Sequence, residues 1–271
     1  MSRGVIFLKT FYIEQNKNVW NIKNFFRSTV KKENKIIINK NLAKLSIKKK
    51  SKIVKKIQAI LASEKTKQIA IEKELKNDKE FVNLLYSYNL NICNKNWLFS
   101  RLLDKTIDSI LKDKARAESE IWICVNDLDN NMEEELIKFA KEFKNINIVT
   151  KYIGKFKKIE EIIYLQYGIL INISNNKRKS LAKADLILNV DFPKEVINQF
   201  VIYDEAKIID LYGDVKIKKK RFNGKIINDY NFEIDNNEEI LKFVQRNQLE
   251  NYDIRDICQA LQIVPEGKLF L

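Results

Sequence analysis

The sequence predicts an α/β protein whose main sheet is mostly parallel and covered by helices on both faces. Two observations in the second half of the chain predict this class. Short runs of Ile, Val and Leu alternate with amphipathic stretches of helical length, which is the pattern of β-α-β units. The predicted strands at 121–126 and 185–191 contain consecutive apolar residues, at 121–125 and 186–188, which is typical of strands buried on both faces. With 271 residues, of which 45% are hydrophobic, the chain is long enough to form a packed core.

The first 115 residues mix short β-rich runs with helices and form the first predicted domain. Residues 51–61 show the clearest periodicity there, because apolar side chains recur at helical spacing. A polar run at 112–120 follows, so we place a domain boundary after residue 115. The other elements predicted here are strands at 5–13, 35–39, 67–75 and 90–93, a helix beginning at 77 or 78, and a helix at 97–111.

The second predicted domain, residues 116–235, is a Rossmann-like doubly wound layer. Right-handed crossovers between consecutive parallel strands favour this topology. The predicted strands are 121–126, 145–150, 169–174, 185–191 and 206–212, and the helices are 132–143, 155–167 and 193–200. After Gly213 we expect a hairpin or an extended excursion through Phe222, Asn223 and Gly224. Helices at 237–246 and 254–261 form a third segment, residues 236–271, which we expect to pack on the core.

Residue types that are missing from the chain exclude several chemistries. The chain has no His, which removes Ser-His and Cys-His nucleophile pairs and the HExxH zinc site. Its three cysteines, Cys93, Cys124 and Cys258, form no CxxC pair, so we expect no metal site and a reducing, cytoplasmic location. The apolar stretch at 4–13 is interrupted by Lys9, and no run is long enough to cross a bilayer. We therefore expect neither a signal peptide nor a transmembrane segment.

The positive charge is concentrated in one segment. The formal net charge is +14, and residues 31–56 hold eleven lysines and one acid, Glu33. A basic amphipathic helix can bind nucleic acid or an anionic membrane surface. The alternative is a solvated face, since Lys is far commoner than Arg here, as A/T-rich codons would produce. The anion-binding candidates are Lys48, Lys49, Lys50, Lys52, Lys55 and Lys56.

Small polar residues stand at the ends of the predicted strands in the second half. The carboxyl ends of parallel strands line one crevice, where open α/β sheets bind their ligands. Asn189 and Asp191 lie two positions apart on one strand, so they share a face and could orient a polar ligand or hold a hydrated Mg²⁺. Turn formation is the alternative role for such residues. The crevice candidates are Asn126, Asp127, Thr150, Ser174, Asn175, Asn189, Asp191 and Asp210.

The turn after the first strand of this layer lacks the signature of a dinucleotide site. Such sites need glycines, so that backbone N–H groups can approach a pyrophosphate. Residues 126–131 read Asn-Asp-Leu-Asp-Asn-Asn, with two acids and no glycine. The six glycines of the chain are all isolated from one another. We therefore expect no cofactor, with NAD(P) as the alternative.

Residues 116–235 nevertheless resemble the cofactor half of shikimate-dehydrogenase-like and related amino-acid dehydrogenases. The likeness rests on the strand-helix order and on the run Ala-Asp-Leu-Ile-Leu-Asn at 184–189. This resemblance implies the fold only. It identifies no catalytic residue in this chain, because the glycine turn of the family is missing.

Three functional hypotheses remain. The first is a non-catalytic or regulatory protein that binds a partner or a small polar ligand at the carboxyl ends of the strands. The second is a divergent NAD(P)-dependent, dehydrogenase-like enzyme. The third is a nucleic-acid or anionic-membrane binder that uses the lysines of residues 31–56.

Overall fold

The chain divides into two compact units. The computed structural model describes residues 9–16, 28–228, 230–234 and 237–271. Unit 1 comprises Met1–Arg101 with Ile234–Lys268, and unit 2 comprises Leu102–Glu233 with Leu269–Leu271. The change of unit thus lies between Arg101 and Leu102, upstream of the polar run at 112–120, and the C-terminal helices belong to unit 1. Much of the strand predicted at 5–13 lies outside the described residues.

Unit 1 contains a five-stranded sheet in the order β2-β3-β1-β4-β5. β1, β3, β4 and β5 are parallel, while β2 pairs antiparallel with β3 at one edge. The strands are β1 (Phe11–Gln15), β2 (Thr29–Lys32), β3 (Lys35–Ile38), β4 (Gln68–Ile71) and β5 (Asn91–Ile92). The helices are α1 (Ile47–Ser63), α2 (Lys73–Lys76), α3 (Lys79–Ser87), α4 (Lys95–Arg101), α9 (Glu238–Asn247) and α10 (Ile254–Leu261). A 3₁₀ turn at Leu42–Lys44 precedes α1.

Hydrophobic cores cover both faces of this sheet. On one face, Ile53, Val54 and Ile57 of α1 pack with Phe11 and other buried strand residues. The helical spacing predicted for residues 51–61 therefore marks a real buried stripe. On the other face, Tyr12 belongs to a cluster with residues of the C-terminal segment, and its ring meets that of Tyr252 edge-to-face at 5.6 Å.

Unit 2 contains a six-stranded sheet, all parallel, in the order β11-β10-β9-β6-β7-β8. Within the unit this is strand order 3-2-1-4-5-6, the doubly wound Rossmann arrangement, so the predicted fold class is confirmed. The strands are β6 (Glu120–Cys124), β7 (Asn145–Val149), β8 (Asn172–Ser174), β9 (Leu186–Asn189), β10 (Lys207–Asp210) and β11 (Lys225–Ile227). The helices are α5 (Leu103–Leu111), α6 (Asn130–Glu142), α7 (Ile153–Tyr167) and α8 (Lys194–Ile197), with a 3₁₀ turn at Arg116–Glu118. The short strands β12 (Asn231–Ile234) and β13 (Gly267–Phe270) form a separate two-stranded sheet.

Several predicted elements differ in the structure. Of the strand predicted at 67–75, only Gln68–Ile71 is a strand, and Lys73–Lys76 form the helix α2. The single helix predicted at 97–111 is two helices, α4 and α5, because its apolar residues serve two cores: Leu98 is buried in unit 1 and Ile107 in unit 2. Of the hairpin and the extended excursion expected after Gly213, the described residues around Gly224 do not form the hairpin. Instead β11 runs parallel to β10. Gly224 lies so close to the backbone of Ala206 that a Cβ at this position would be 2.0 Å from the Ala206 carbonyl oxygen.

None of the described helices combines the length and the apolar character that crossing a bilayer requires.

Candidate functional site

The carboxyl edge of the unit 2 sheet holds most of the crevice residues predicted from the sequence. Its topological switch point lies between β6 and β9, where Rossmann folds place their ligand. The half-buried Asp191 follows β9 at this point. Its two carboxylate oxygens accept hydrogen bonds from the backbone N–H of Asn126 at 2.9 and 2.8 Å, and Oδ2 also accepts one from the N–H of Asp127 at 2.8 Å.

These hydrogen bonds use the donors that a pyrophosphate would need. In dinucleotide-binding folds the backbone N–H groups of the first turn and the N-terminus of the following helix bind the phosphates. Here the carboxylate of Asp191 takes the N–H groups of the turn, and Asp129 caps α6 by accepting from the N–H of Met132 at 2.8 Å. Two negative charges of the protein therefore lie in the region that a dinucleotide would occupy.

Burial and hydrogen bonding act in opposite directions on the Asp191 carboxyl. Burial raises its pKa, and the hydrogen bonds from the N–H groups of Asp127 and Asn126 lower it, with burial the larger effect. The pKa of Asp191 is consequently raised from its ordinary value of 3.8.

Asn189 and Asp191 do not converge on one position, although the sequence predicted that they share a face. The buried Asn189 donates from Nδ2 to Asp210 Oδ1 at 2.8 Å and to the carbonyl oxygen of Phe192 at 2.9 Å. Asp210, also buried, accepts from the N–H of Val215 at 2.8 Å. Asn189 and Asp210 therefore tie together the loops after β9 and β10, while Asp191 bonds to the turn after β6.

The remaining crevice candidates also close turns. Asn126 Oδ1 accepts from the N–H of Lys151 at 2.9 Å, and the buried Thr150 Oγ1 accepts from the N–H of Tyr152 at 3.1 Å. Ser174 Oγ lies 2.8 Å from Ser180 Oγ. Asn175 and Asp127 are exposed. The structure thus brings these residues to one edge of the sheet, where most of them bond to the protein itself.

Unit 1 contains a cavity that the sequence interpretation missed. Its volume is about 600 Å³, and it lies at the carboxyl ends of β1 and β4, the switch point of this second parallel sheet. Gln15 ends β1, and the buried Glu72 follows β4. Glu72 Oε1 accepts from the N–H of Gln15 at 2.9 Å, and Gln15 Oε1 accepts from the N–H of Leu42 at 3.1 Å. The other lining residues are Asn41, Ala43, Lys50, Glu74, Leu75, Asn77, Asp78, Lys79 and Glu80.

Lys50 belongs to this cavity and not to the exposed basic face. It is 5% exposed, and its Nζ lies 2.7 Å from Asp78 and 2.9 Å from Glu80. Burial lowers the pKa of Lys50, but the hydrogen bonds to the two carboxylates outweigh burial and leave it raised. The sequence held a signal for this position, since Lys50 precedes Ile53, Val54 and Ile57 by helical intervals and so lies on the apolar side of α1.

The other five lysine candidates are exposed on α1, as the basic face was predicted to be. Lys56 donates to Ser28 Oγ at 2.9 Å. Within the described ranges, Lys48, Lys49, Lys52 and Lys55 make no ion pair with a carboxylate. The part of the chain that the structure describes includes no group of three or more Cys, Asp or Glu side chains placed to hold a metal ion.

Comparison with known proteins gives weak likenesses only. No family model matches the chain, and no curated protein matches it significantly. The ligand-free 5-ketofructose reductase of Gluconobacter sp. strain CHM43 is similar at 12% identity and a TM-score of 0.35, over 64% of each chain. The L-tryptophan dehydrogenase of Nostoc punctiforme is similar at 8% identity and 0.32, over 84% of this chain and 68% of that one. The anabolic ornithine carbamoyltransferase of Campylobacter jejuni is similar at 11% identity and 0.29, over 94% and 88%.

Proposed function

We propose that this chain is a non-catalytic or regulatory binding protein that takes a small polar ligand at the carboxyl ends of its parallel strands. One observation carries the proposal: unit 1 leaves a cavity of about 600 Å³ at the switch point of its sheet, lined by the polar ends of two strands. Both its volume and its position are typical of small-molecule sites. We also propose a cytoplasmic location, which fits three buried, unpaired cysteines.

The charges around this cavity favour a ligand that carries an amine. Four carboxylates line it, against two lysines, although the whole chain is strongly basic. The excess of carboxylates over lysines makes the lining formally negative, and a negatively charged cavity favours a cationic ligand such as an ammonium group. The carboxylates are Glu72, Glu74, Asp78 and Glu80, and the lysines are Lys50 and Lys79.

Amines at saturating concentration should raise the melting temperature, since a ligand that binds only the folded state stabilises it by mass action. We would screen the L-amino acids and the polyamines putrescine and spermidine by thermal shift. The variant Glu72→Gln keeps the shape of the side chain and removes its charge, so it should weaken binding at least about tenfold. Glu239→Gln, an exposed position on α9, is the matched control and should bind like the wild type. Equal binding by both variants, or no shift with any amine, would contradict the proposal.

The alternative function is a divergent NAD(P)-dependent dehydrogenase of the shikimate-dehydrogenase kind. We propose instead that unit 2 keeps the architecture of such a domain without its phosphate site, because Asp191 bonds to the N–H groups of Asn126 and Asp127. The amide NMR signals of these two residues should therefore stay unchanged when NAD or NADP is added. Movement of both signals at saturating dinucleotide would favour the dehydrogenase.

The variant Asp191→Asn measures how strongly this carboxylate holds the turn. It should lower the free energy of unfolding by about 1–2 kcal/mol, because the charge-assisted hydrogen bonds to the N–H groups of Asn126 and Asp127 are weakened. The exposed Asp185→Asn is the control, and surface changes of this kind stay within about 0.5 kcal/mol. Urea unfolding of the three proteins gives both values. Equal stability of the two variants would mean that the Asp191 bonds do not hold the turn.

A further inference from the structure

We infer that unit 1 carries a second binding site, for an organic phosphate, at the C-terminal end of α1. A cavity of about 690 Å³ lies there, among the last turns of α1, the loop that leads to β4, the end of α3 and the start of β5. It is separate from the cavity at the carboxyl ends of β1 and β4, with which it shares no lining residue. Its lining residues are Lys55, Gln58, Ala59, Leu61, Ala62, Lys65, Thr66, Lys67, Gln68, Tyr88, Asn89, Leu90 and Asn91.

Three lysines line this cavity without a compensating acid. Among the described residues, the lining of the cavity includes no carboxylate, and Lys55, Lys65 and Lys67 make no ion pair. The neighbouring Glu64 does not compensate them, because its carboxylate is paired with Lys9 and Lys31. Ammonium groups that share a cavity repel one another, and an anion between them would relieve that repulsion.

A capping role does not account for these lysines. Lysines near helix C-termini often satisfy the last carbonyl groups. At the end of α1, the carbonyl oxygens of Ile60, Leu61 and Ala62 already accept backbone N–H groups at 3.1 to 3.2 Å. At the end of α3, the carbonyl of Leu84 accepts the N–H of Tyr88 at 3.1 Å, and that of Tyr86 accepts the N–H of Asn89 at 2.8 Å. Among the described residues, none of the three ammonium groups hydrogen-bonds to these carbonyl oxygens, so they are available to a ligand.

The shape of the site indicates the class of anion. Apolar side chains from α1 and from the segment before β5, Ala59, Ala62 and Leu90 among them, line the cavity together with the lysines. The volume suits a molecule of nucleotide size. Lysine binds phosphate as a point charge. Lysines beside apolar side chains therefore fit a ligand that joins a phosphate group to an apolar or aromatic moiety.

The exposed lysines of α1 extend the site along the helix. Lys48 and Lys52 precede Lys55 by seven and three positions, so all three lie on one side of α1. One turn of helix advances about 5.4 Å, which brings the next lysine within reach of a second charged group on the same ligand. We therefore expect more highly phosphorylated ligands to bind more tightly.

Titration calorimetry with AMP, ATP, adenosine and inorganic phosphate tests the inference. AMP should bind, ATP should bind more tightly, adenosine should not bind, and the AMP affinity should fall as salt rises. The triple variant Lys55→Gln, Lys65→Gln, Lys67→Gln should weaken AMP binding at least about tenfold, since it removes the charges that would attract and hydrogen-bond the phosphate. The matched control changes three exposed lysines of unit 2, Lys105, Lys114 and Lys144, to Gln and should bind AMP like the wild type.

Several outcomes would overturn the inference. One is adenosine binding as tightly as AMP, and another is unchanged AMP binding by the triple variant. A third is binding of a single-stranded DNA 12-mer with no binding of AMP, which would assign the lysines to a nucleic acid. The melting temperature of each variant shows whether it is folded, and the single variants Lys55→Gln and Lys67→Gln replace the triple variant if it is not. The site shares no residue with the proposed amine site, so either can fail alone.

Discussion

Replacing Lys50 by alanine should lower the free energy of unfolding by about 3 kcal/mol at neutral pH. Lys50 is buried, and its Nζ lies 2.7 Å from Asp78 Oδ2 and 2.9 Å from Glu80 Oε2. Removing one partner of a buried ion pair leaves the other charge without compensation, which costs about 3–5 kcal/mol. We expect a loss at the lower end of this range because the Glu80 side chain is 60% exposed and can be solvated by water. Urea unfolding at constant salt measures the change.

The neighbouring Lys49 supplies the control for this prediction. It is exposed and makes no ion pair in the described part of the chain, so Lys49→Ala should change stability by no more than about 0.5 kcal/mol. The double variant Lys50→Ala, Asp78→Asn should regain part of the loss. The introduced asparagine would be uncharged and could still cap α3, as Asp78 does by accepting from the N–H of Phe81. Equal losses from the Lys49 and Lys50 changes would show that the buried pairs contribute nothing.

Asp256 should make the stability of the protein depend on pH between about 4 and 6. The side chain is fully buried on α10 and is paired with Lys76, while its Oδ1 has no hydrogen-bond partner among the described residues. Burial raises the pKa of Asp256 from 3.8 to about 6, and Lys76 opposes that rise. A carboxyl whose pKa is higher in the folded state stabilises the fold when it is protonated. This contribution is complete below pH 3.8 and is lost as the pH rises through 6.

The variant Asp256→Asn isolates this contribution. Other acids, such as Asp78 and Asp104, have lowered pKa values and change stability in the opposite sense over nearby pH values. The informative quantity is therefore the stability of the wild type minus that of Asp256→Asn. It should fall by up to about 3 kcal/mol between pH 4 and pH 7, from a shift of about two pKa units. The exposed Asp113→Asn is the control. A difference that stays constant over this range would mean that Asp256 titrates normally.

The alternating pattern of the second half was enough to predict its fold. Residues 121–125 and 186–188 are apolar at consecutive positions, which is typical of strands covered on both faces, and they lie in the central strands β6 and β9. The period of residues 51–61 likewise predicted α1. These features are local, because the pattern of apolar residues within a short segment indicates whether one face of a helix or a whole strand is buried.

The helix predicted at 97–111 and the role of Lys50 show where local pattern fails. In both segments the apolar residues recur at helical spacing. This spacing does not specify the core against which the apolar face of the helix packs. Leu98 and Ile107 enter different cores, so the helix breaks between them. Lys50 is tolerated on an apolar face because Asp78 and Glu80, 28 and 30 residues away, lie opposite its ammonium group.

The sequence alone determined the α/β class, the alternation of strands and helices, the missing glycine turn and the concentration of lysine near α1. Only the tertiary structure decided the partners of the polar groups. Asp191 meets the N–H of Asn126 across 65 residues of chain, and Glu72 meets that of Gln15 across 57. Strand order and register set these pairings. Both depend on how buried surfaces pack together, which a local pattern of residues does not specify.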